Sequence, residues 1–248
     1  MRLVPYLNAL VSAVIAGAIS TAFLIPALPF VVVPRGRRER YIWWTNTGAS
    51  YGILRYALRV ELDVVGRDHI PFGQPYMVVA NHRSWVDVIT LIWAARAEGL
   101  SKREVFFTPI MGVLGYLGGA VFFNRDHAEG RRRAKEECLY LLKQGVPLHI
   151  YPEGTRTRDG KLREKIHLAM LEVCWEHRIP LVPAALWGTE RVVGVPFRGV
   201  HLGETVHARF RPPLDPALYP NGEEYAKACW AQVTEMVNAL ESEYAEKR

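Results

Sequence analysis

The sequence predicts an α/β fold: a mixed, mostly parallel sheet flanked by helices, preceded by a two-helix N-terminal membrane-embedding segment. Three observations predict it. The chain opens with an uncharged apolar run between Arg2 and Arg35. From about residue 61, short apolar or alternating runs of strand character are separated by helical ones. The residues that suggest chemistry fall directly after those runs, where binding sites gather in sheets of this kind. The reading divides the chain into residues 1–60, membrane-associated helices, and residues 61–248, the α/β domain.

The apolar run supplies Leu7, Leu10, Val11, Val14, Ile15, Ile19, Phe23 and Leu24, and exceeds the ~20 residues that a bilayer core requires of a helix. Pro26, Pro29 and Pro34 predict a helix end near Leu24 or Ile25. A cleaved signal peptide fits less well, because the run is too long and no A-x-A site follows it. Arg35, Arg37, Arg38 and Arg40 come next, a cluster suited to lipid phosphates. A second half-apolar stretch, Tyr41 to Val60, carries Trp43, Trp44, Tyr51 and Tyr56, residues that favour the headgroup level. A spanning helix and a re-entrant pair both satisfy this pattern. If the first helix spans, the arginines after it hold that side in the cytosol; in either case the α/β domain is expected to face the cytosol, which points to an inner (cytoplasmic) membrane.

Val60–Gly66 alternates and reads as a strand, Tyr76–Ala80 as a buried strand, and Val86–Ala97 as a buried helix. Glu104–Phe107 and Ala120–Phe123 read as strands. Glu129–Lys143 is an amphipathic helix with Ala134, Cys138, Leu141 and Leu142 on its apolar face, closed by Gly145. Val146–Tyr151 is a strand, Leu162–Glu176 a helix, Ile179–Leu186 and Val206–Phe210 strands, and Gly222–Tyr244 a final helix.

Apolar residues make up 50% of the 248, and the net charge of +6 with a pI near 9.3 favours an anionic partner. The basic residues match no nucleic-acid reading motif, so phosphorylated substrates and lipid surfaces remain. Cys138, Cys174 and Cys229 have neither zinc-ligand spacing nor a disulfide framework, and fit a reducing compartment.

The most informative segment is Asn81-His82-Arg83-Ser84-Trp85-Val86-Asp87. Five residues on one helix give about 140° of rotation, so His82 and Asp87 do not share a helical face. At a strand-to-helix junction they meet, His82 on the turn and Asp87 in the first helical turn. A carboxylate on one imidazole nitrogen fixes the tautomer and leaves the other nitrogen to accept a proton. Such a base contributes about 10² to 10⁴ in rate when an alcohol attacks. Backbone amides at the same helix start are expected to support an oxyanion. Arg125 follows one strand, and Glu153-Gly154-Thr155-Arg156 follows another. Arg125 and Arg156 are forked donors for a phosphate monoester, Thr155 adds a hydroxyl, Gly154 admits close approach, and Glu153 orients an arginine or meets a hydroxyl. His149, His167, His201 and His207 lack a matching carboxylate spacing and read as structural or surface residues.

Together these segments resemble the lysophosphatidate (1-acylglycerol-3-phosphate) acyltransferase family. The first block looks like Asn81–Asp87, the second like Val121–Arg125, the third like Tyr151–Thr157, and the fourth like Leu181–Ala184, in the same order across residues 76–186. The resemblance implies a glycerolphosphate acyltransferase-like fold. It implies acyl transfer from acyl-CoA or acyl-carrier protein to the sn-2 hydroxyl of the lysophospholipid acceptor, giving phosphatidate, without a metal or other cofactor. It assigns His82 as base and Asp87 as its partner. Arg125, Glu153, Gly154, Thr155 and Arg156 become the acceptor site. One departure is Glu164-Lys165-Ile166-His167, where many members carry an aromatic, two basic residues and a glycine. It leaves open another acceptor, such as lyso-ornithine lipid or lysophosphatidylglycerol. A non-catalytic anionic-lipid-binding protein is the weaker alternative.

Overall fold

The computed structural model describes residues 3–108, 110–124, 127–157 and 161–244. Among them seven strands form one sheet: β1 (Glu61–Val65), β2 (Met77–Ala80), β3 (Glu98–Lys102), β4 (Val121–Phe123), β5 (Leu148–Ile150), β6 (Leu181–Trp187) and β7 (Thr205–Phe210), in the order β1-β7-β6-β2-β5-β3-β4. Every neighbouring pair is parallel except β6 with β7. The sheet is therefore mixed and mostly parallel, as the alternation of strands and helices predicts.

Side-chain alternation on the central strands builds two cores. Met77 and Val79 of β2 point to one face, with Leu141, Leu148, Leu171 and Leu181. There they meet α6 (Ala128–Lys143), α7 (Ala169–Glu176) and α9 (Gly222–Tyr244). Val78 and Ala80 point to the other face, with Val182, Ala184 and Leu91 of α3 (Val86–Ala95). Burial on both faces explains why these strands read as continuous apolar runs. All three cysteines are buried and unpaired.

Three local expectations are corrected. Glu104–Phe107 is not a strand; Arg103–Phe106 is a short helix, α4, and the strand lies upstream at Glu98–Lys102. Pairing with β5 selects Glu-Gly-Leu-Ser-Lys for the sheet despite its poor strand propensity. Gly99 is required there: a Cβ would stand 2.6 Å from His149 Nε2. Residues 162–168 are not helical, because the amides of Arg163 and His167 bond to the Glu153 carboxylate and the Pro152 carbonyl. His207 does have a carboxylate partner. The β1–β7 register sets Asp63 opposite it, and Nδ1 lies 2.6 Å from Asp63 Oδ2. Chain spacing carries no trace of such a cross-strand pair.

The N-terminal helix α1 runs Val4–Ala27, past the predicted stop, and continues as a 3-10 turn, Leu28–Val32. Pro26 lies inside it and removes one i→i−4 main-chain hydrogen bond without ending the helix. Val4–Val32 is long and apolar enough to cross a membrane, with a mean hydropathy of 2.1 in its most apolar window. Leu3, Leu7, Leu10 and Val14 are exposed on it. Its other side is fastened to the body. Asn8 donates to Val200 O, Ser12 Oγ donates to Ala57 O, and Val200 N donates to Pro5 O. Near its other end, Ala27 packs with Ile42 and Leu117.

The second helix, α2 (Arg38–Gly52), is turned inward and buries polar groups. Of the basic cluster, Arg38 is buried on the carbonyls of Leu117 and Tyr116, and Arg35 bonds Ala120 O and Glu137. These two arginines therefore fasten the N-terminal segment to α5 (Met111–Gly118) and α6, while Arg37 and Arg40 are exposed. Asn46 of α2 donates to Glu98 Oε1 of β3 at 2.7 Å in a fully buried junction. Glu98 Oε2 and Asn46 Oδ1 have no hydrogen-bond partner among the described residues. Burial pushes the Glu98 carboxyl up to about 7, against the Asn46 hydrogen bond.

Candidate active site

β2 and β5 are adjacent and parallel, so their C-terminal ends, Ala80 and Ile150, open side by side. Asn81 extends β2 by one side chain. Its Nδ2 donates to Leu186 O at 2.9 Å, and Leu186 N donates to its Oδ1 at 2.8 Å. The backbone then turns, which places His82 at the mouth between strand and helix.

Asp87 in the first turn of α3 is wholly buried. Its Oδ2 accepts from His82 Nδ1 at 2.9 Å, from Arg83 N at 2.6 Å and from Ser84 N at 2.7 Å. The two amides hold the carboxylate in place and the imidazole completes the set. A carboxylate acceptor puts the proton on Nδ1 and leaves Nε2 as the acceptor nitrogen. The expected oxyanion support from this helix start is not available from three of its amides. Arg83 N and Ser84 N are committed to Asp87, and Val86 N to Ser84 Oγ. Arg83 is itself buried, paired with Glu190 at 3.2 Å and with Glu241 of α9 at 2.5 Å.

The loop after β5 closes on the same spot. Gly154 N donates to Tyr151 O, making a turn whose last residue has φ +67°. Glycine is the residue that takes this conformation without strain. Glu153 is buried, and Oε1 accepts from His82 N at 2.7 Å while Oε2 accepts from Arg163 N at 3.2 Å. Burial raises its carboxyl above the ordinary range, and the two amides act against that rise. Thr157 N donates to His82 O at 3.0 Å. Both carboxylate oxygens of Glu153 thus serve the backbone, and two bonds lock the loop onto the turn that carries the imidazole.

Thr155 and Arg156 are exposed on this loop, between Glu153 and Thr157, which bond the backbone of His82. Arg125 lies outside the described residues. It follows the end of β4, which stands three strand positions from β2, about 14 Å across the sheet. His82, Asp87, Glu153, Gly154, Thr155 and Arg156 come together at the ends of two neighbouring strands.

Sequence reasoning passed over two rings. Tyr151 stacks on His82 with centroids 4.0 Å apart and planes 9° from parallel. Behind it, His149 meets Tyr151 edge-on at 5.2 Å. Their i, i+2 spacing at the end of β5 puts both on one side of the strand, a signal available in the sequence.

Comparison with known proteins bears on this site. A family model described as Acyltransferase matches residues 61–187, just over half of the chain. Among curated proteins, the chain is 28% identical over 194 residues to a chloroplastic 1-acyl-sn-glycerol-3-phosphate acyltransferase of Arabidopsis thaliana, covering 75% of this chain and 53% of that one. It is 25% identical over 189 residues to a chloroplastic 1-acyl-sn-glycerol-3-phosphate acyltransferase of Brassica napus, covering 75% and 54%. The chain thus spans about half the length of these relatives. Among solved structures, the 1-acyl-sn-glycerophosphate acyltransferase of Thermotoga maritima superposes with a TM-score of 0.81 at 24% identity, covering 97% of this chain and 98% of that one. That likeness shows a shared fold, N-terminal helices included. The family match begins at the first residue of β1 and ends at the last of β6, the stretch that builds the His82 site, and the chain belongs to the acyltransferase family.

Proposed function

We propose that this chain transfers a fatty acyl group from a thioester, acyl-CoA or acyl-carrier protein, to the sn-2 hydroxyl of 1-acylglycerol-3-phosphate, giving phosphatidate. The observation that carries the reading is the His82–Asp87 pair, 2.9 Å apart at the mouth of two parallel strands, with the Arg156 loop bonded to His82's own backbone. His82 Nε2 takes the hydroxyl proton as the oxygen attacks the thioester carbonyl. The C–O bond forms, the C–S bond breaks, and the proton passes to the leaving sulfur. Asp87 holds the imidazole tautomer and balances the transient imidazolium. Arg156 and Thr155 meet the acceptor's phosphate, with Arg125 as a further cation. Glu153 acts by holding the loop.

The apolar face of α1 sits in the cytoplasmic leaflet of the inner membrane, beside the catalytic domain. A helix of 24 residues is about 36 Å long, enough to span. Yet contacts with the body at both ends would pull a water-facing domain through the bilayer if α1 stood upright. Lying in one leaflet avoids this and brings the site to its lipid substrate.

The test is direct. Detergent-purified protein given radiolabelled oleoyl-CoA and lysophosphatidate forms phosphatidate, and His82→Ala lowers kcat by at least 10³-fold. Full activity in that variant removes His82 from the mechanism. The departure at Glu164–His167 makes a second acceptor class worth including. Faster turnover of lyso-ornithine lipid or lysophosphatidylglycerol than of lysophosphatidate reassigns the substrate and leaves the chemistry unchanged.

A further inference from the structure

The Asp87 hydrogen bond alone does not aim the catalytic imidazole. One Nδ1···Oδ2 contact fixes a point, and the ring remains free to swing about that axis, carrying Nε2 through an arc. A second constraint must set the plane of the ring. The structure contains one: the face of Tyr151 lies 4.0 Å from the imidazole and nearly parallel to it. We propose that Tyr151 is a positioning residue for acyl transfer. In this role it clamps the His82 ring plane so that Nε2 faces the cleft, with His149 as the rigid support behind it.

His149 suits this role. It is buried, its Nδ1–H donates to Ala97 O at 2.8 Å, and it meets the Tyr151 ring edge-on. Gly99, opposite it on β3, leaves room for the imidazole where any Cβ would stand 2.6 Å from Nε2. Burial lowers the His149 imidazole to about 4, so no cation forms beneath the stack at neutral pH. The Tyr151 hydroxyl is buried without a hydrogen-bond partner among the described residues, and it is the aromatic face of Tyr151 that meets the His82 ring. The order of the stack from sheet to cleft is His149, Tyr151, His82. A nucleophile misplaced by about 1 Å loses on the order of 10²-fold in rate, which sets the scale of what the clamp protects.

The inference rests on the role proposed above for His82, and the experiment separates the two. In detergent-solubilised protein with labelled histidine, the His82 ring protons are assigned by their absence in His82→Asn. They resonate upfield of free imidazole because they lie over the Tyr151 face. Tyr151→Phe keeps the ring, the upfield shift and kcat within about threefold. Tyr151→Leu returns the His82 resonances toward free imidazole and lowers kcat by about 10- to 100-fold, with KM for both substrates within about twofold. Unshifted His82 resonances in the unmodified protein overturn the inference whether or not the leucine variant folds. So does a folded Tyr151→Leu variant with undiminished kcat while His82→Ala is inactive. Activity in His82→Ala instead overturns the underlying mechanism.

Discussion

Asp87 concentrates three donors on one oxygen, and two of them are backbone amides of residues between it and the base. The carboxylate therefore holds the turn and the imidazole together. Asp87→Asn keeps an acceptor for the amides but loses the charge that, in the proposed mechanism, stabilises the imidazolium and fixes the tautomer. Its expected effect is a 10²- to 10⁴-fold fall in kcat with little change in KM and a retained melting temperature, measured by steady-state kinetics and thermal melts. Gly154 sits at φ +67°, and a Cβ there would stand 3.2 Å from the His167 ring. Gly154→Ala costs about 1 kcal/mol through the backbone alone. Because the same turn carries Thr155 and Arg156, the variant also raises KM for the acceptor more than for the donor, a split that steady-state kinetics on each substrate resolves.

At the scale of elements, the junction of α2 and β3 makes stability depend on pH. The Glu98 carboxyl rises from an ordinary 4.5 to about 7 on folding, so between these values the folded chain keeps a proton that the unfolded chain has released. Stability is untouched by this group below about pH 4.5, declines as pH rises toward 7, and stays lower above it, by up to roughly 3 kcal/mol. A neutral carboxyl also brings a hydroxyl donor to a pocket where Asn46 Oδ1 and Glu98 Oε2 have none. Glu98→Gln keeps the bond with Asn46 without the charge. It should melt several degrees above the unmodified protein at pH 8 and coincide with it near pH 4.5. His149 works in the opposite sense. Its imidazole falls from 6.5 to about 4 on folding, so the stability it contributes at neutral pH is lost as pH drops through that window. What the sequence revealed of these elements follows from burial. β2 and β6 are apolar on both faces and announce themselves, whereas β3 is held in the sheet by its neighbours' register. The helix α5 carries Gly112, Gly115 and Gly118 and shows no pattern in isolation. Gly118 packs where a Cβ would collide with Asn46. The site's motifs were legible because base, carboxylate and loop each follow a strand. The i, i+2 spacing of His149 and Tyr151 is legible, but the stacking of Tyr151 on His82 and the Asp63–His207 pair depend on three-dimensional placement that chain spacing does not encode.

For the molecule as a whole, α1 is anchored along one side and apolar on the other. Replacing Leu10 and Val14 by Lys puts two charges on that outer stripe without touching the contacts beneath it. The double variant should fold with an unchanged circular dichroism spectrum and no longer float with vesicles containing anionic lipid. Its activity on short-chain acceptors dissolved in detergent should survive. Retained flotation would locate the membrane contact elsewhere.

On the proposed reading, with that stripe seated in a leaflet, the lipid acceptor would never have to leave its own phase. Encounter becomes a search in two dimensions. Turnover then follows the mole fraction of acceptor in the surface rather than its bulk concentration, and diluting the acceptor with inert lipid slows the enzyme even when the total amount is held constant.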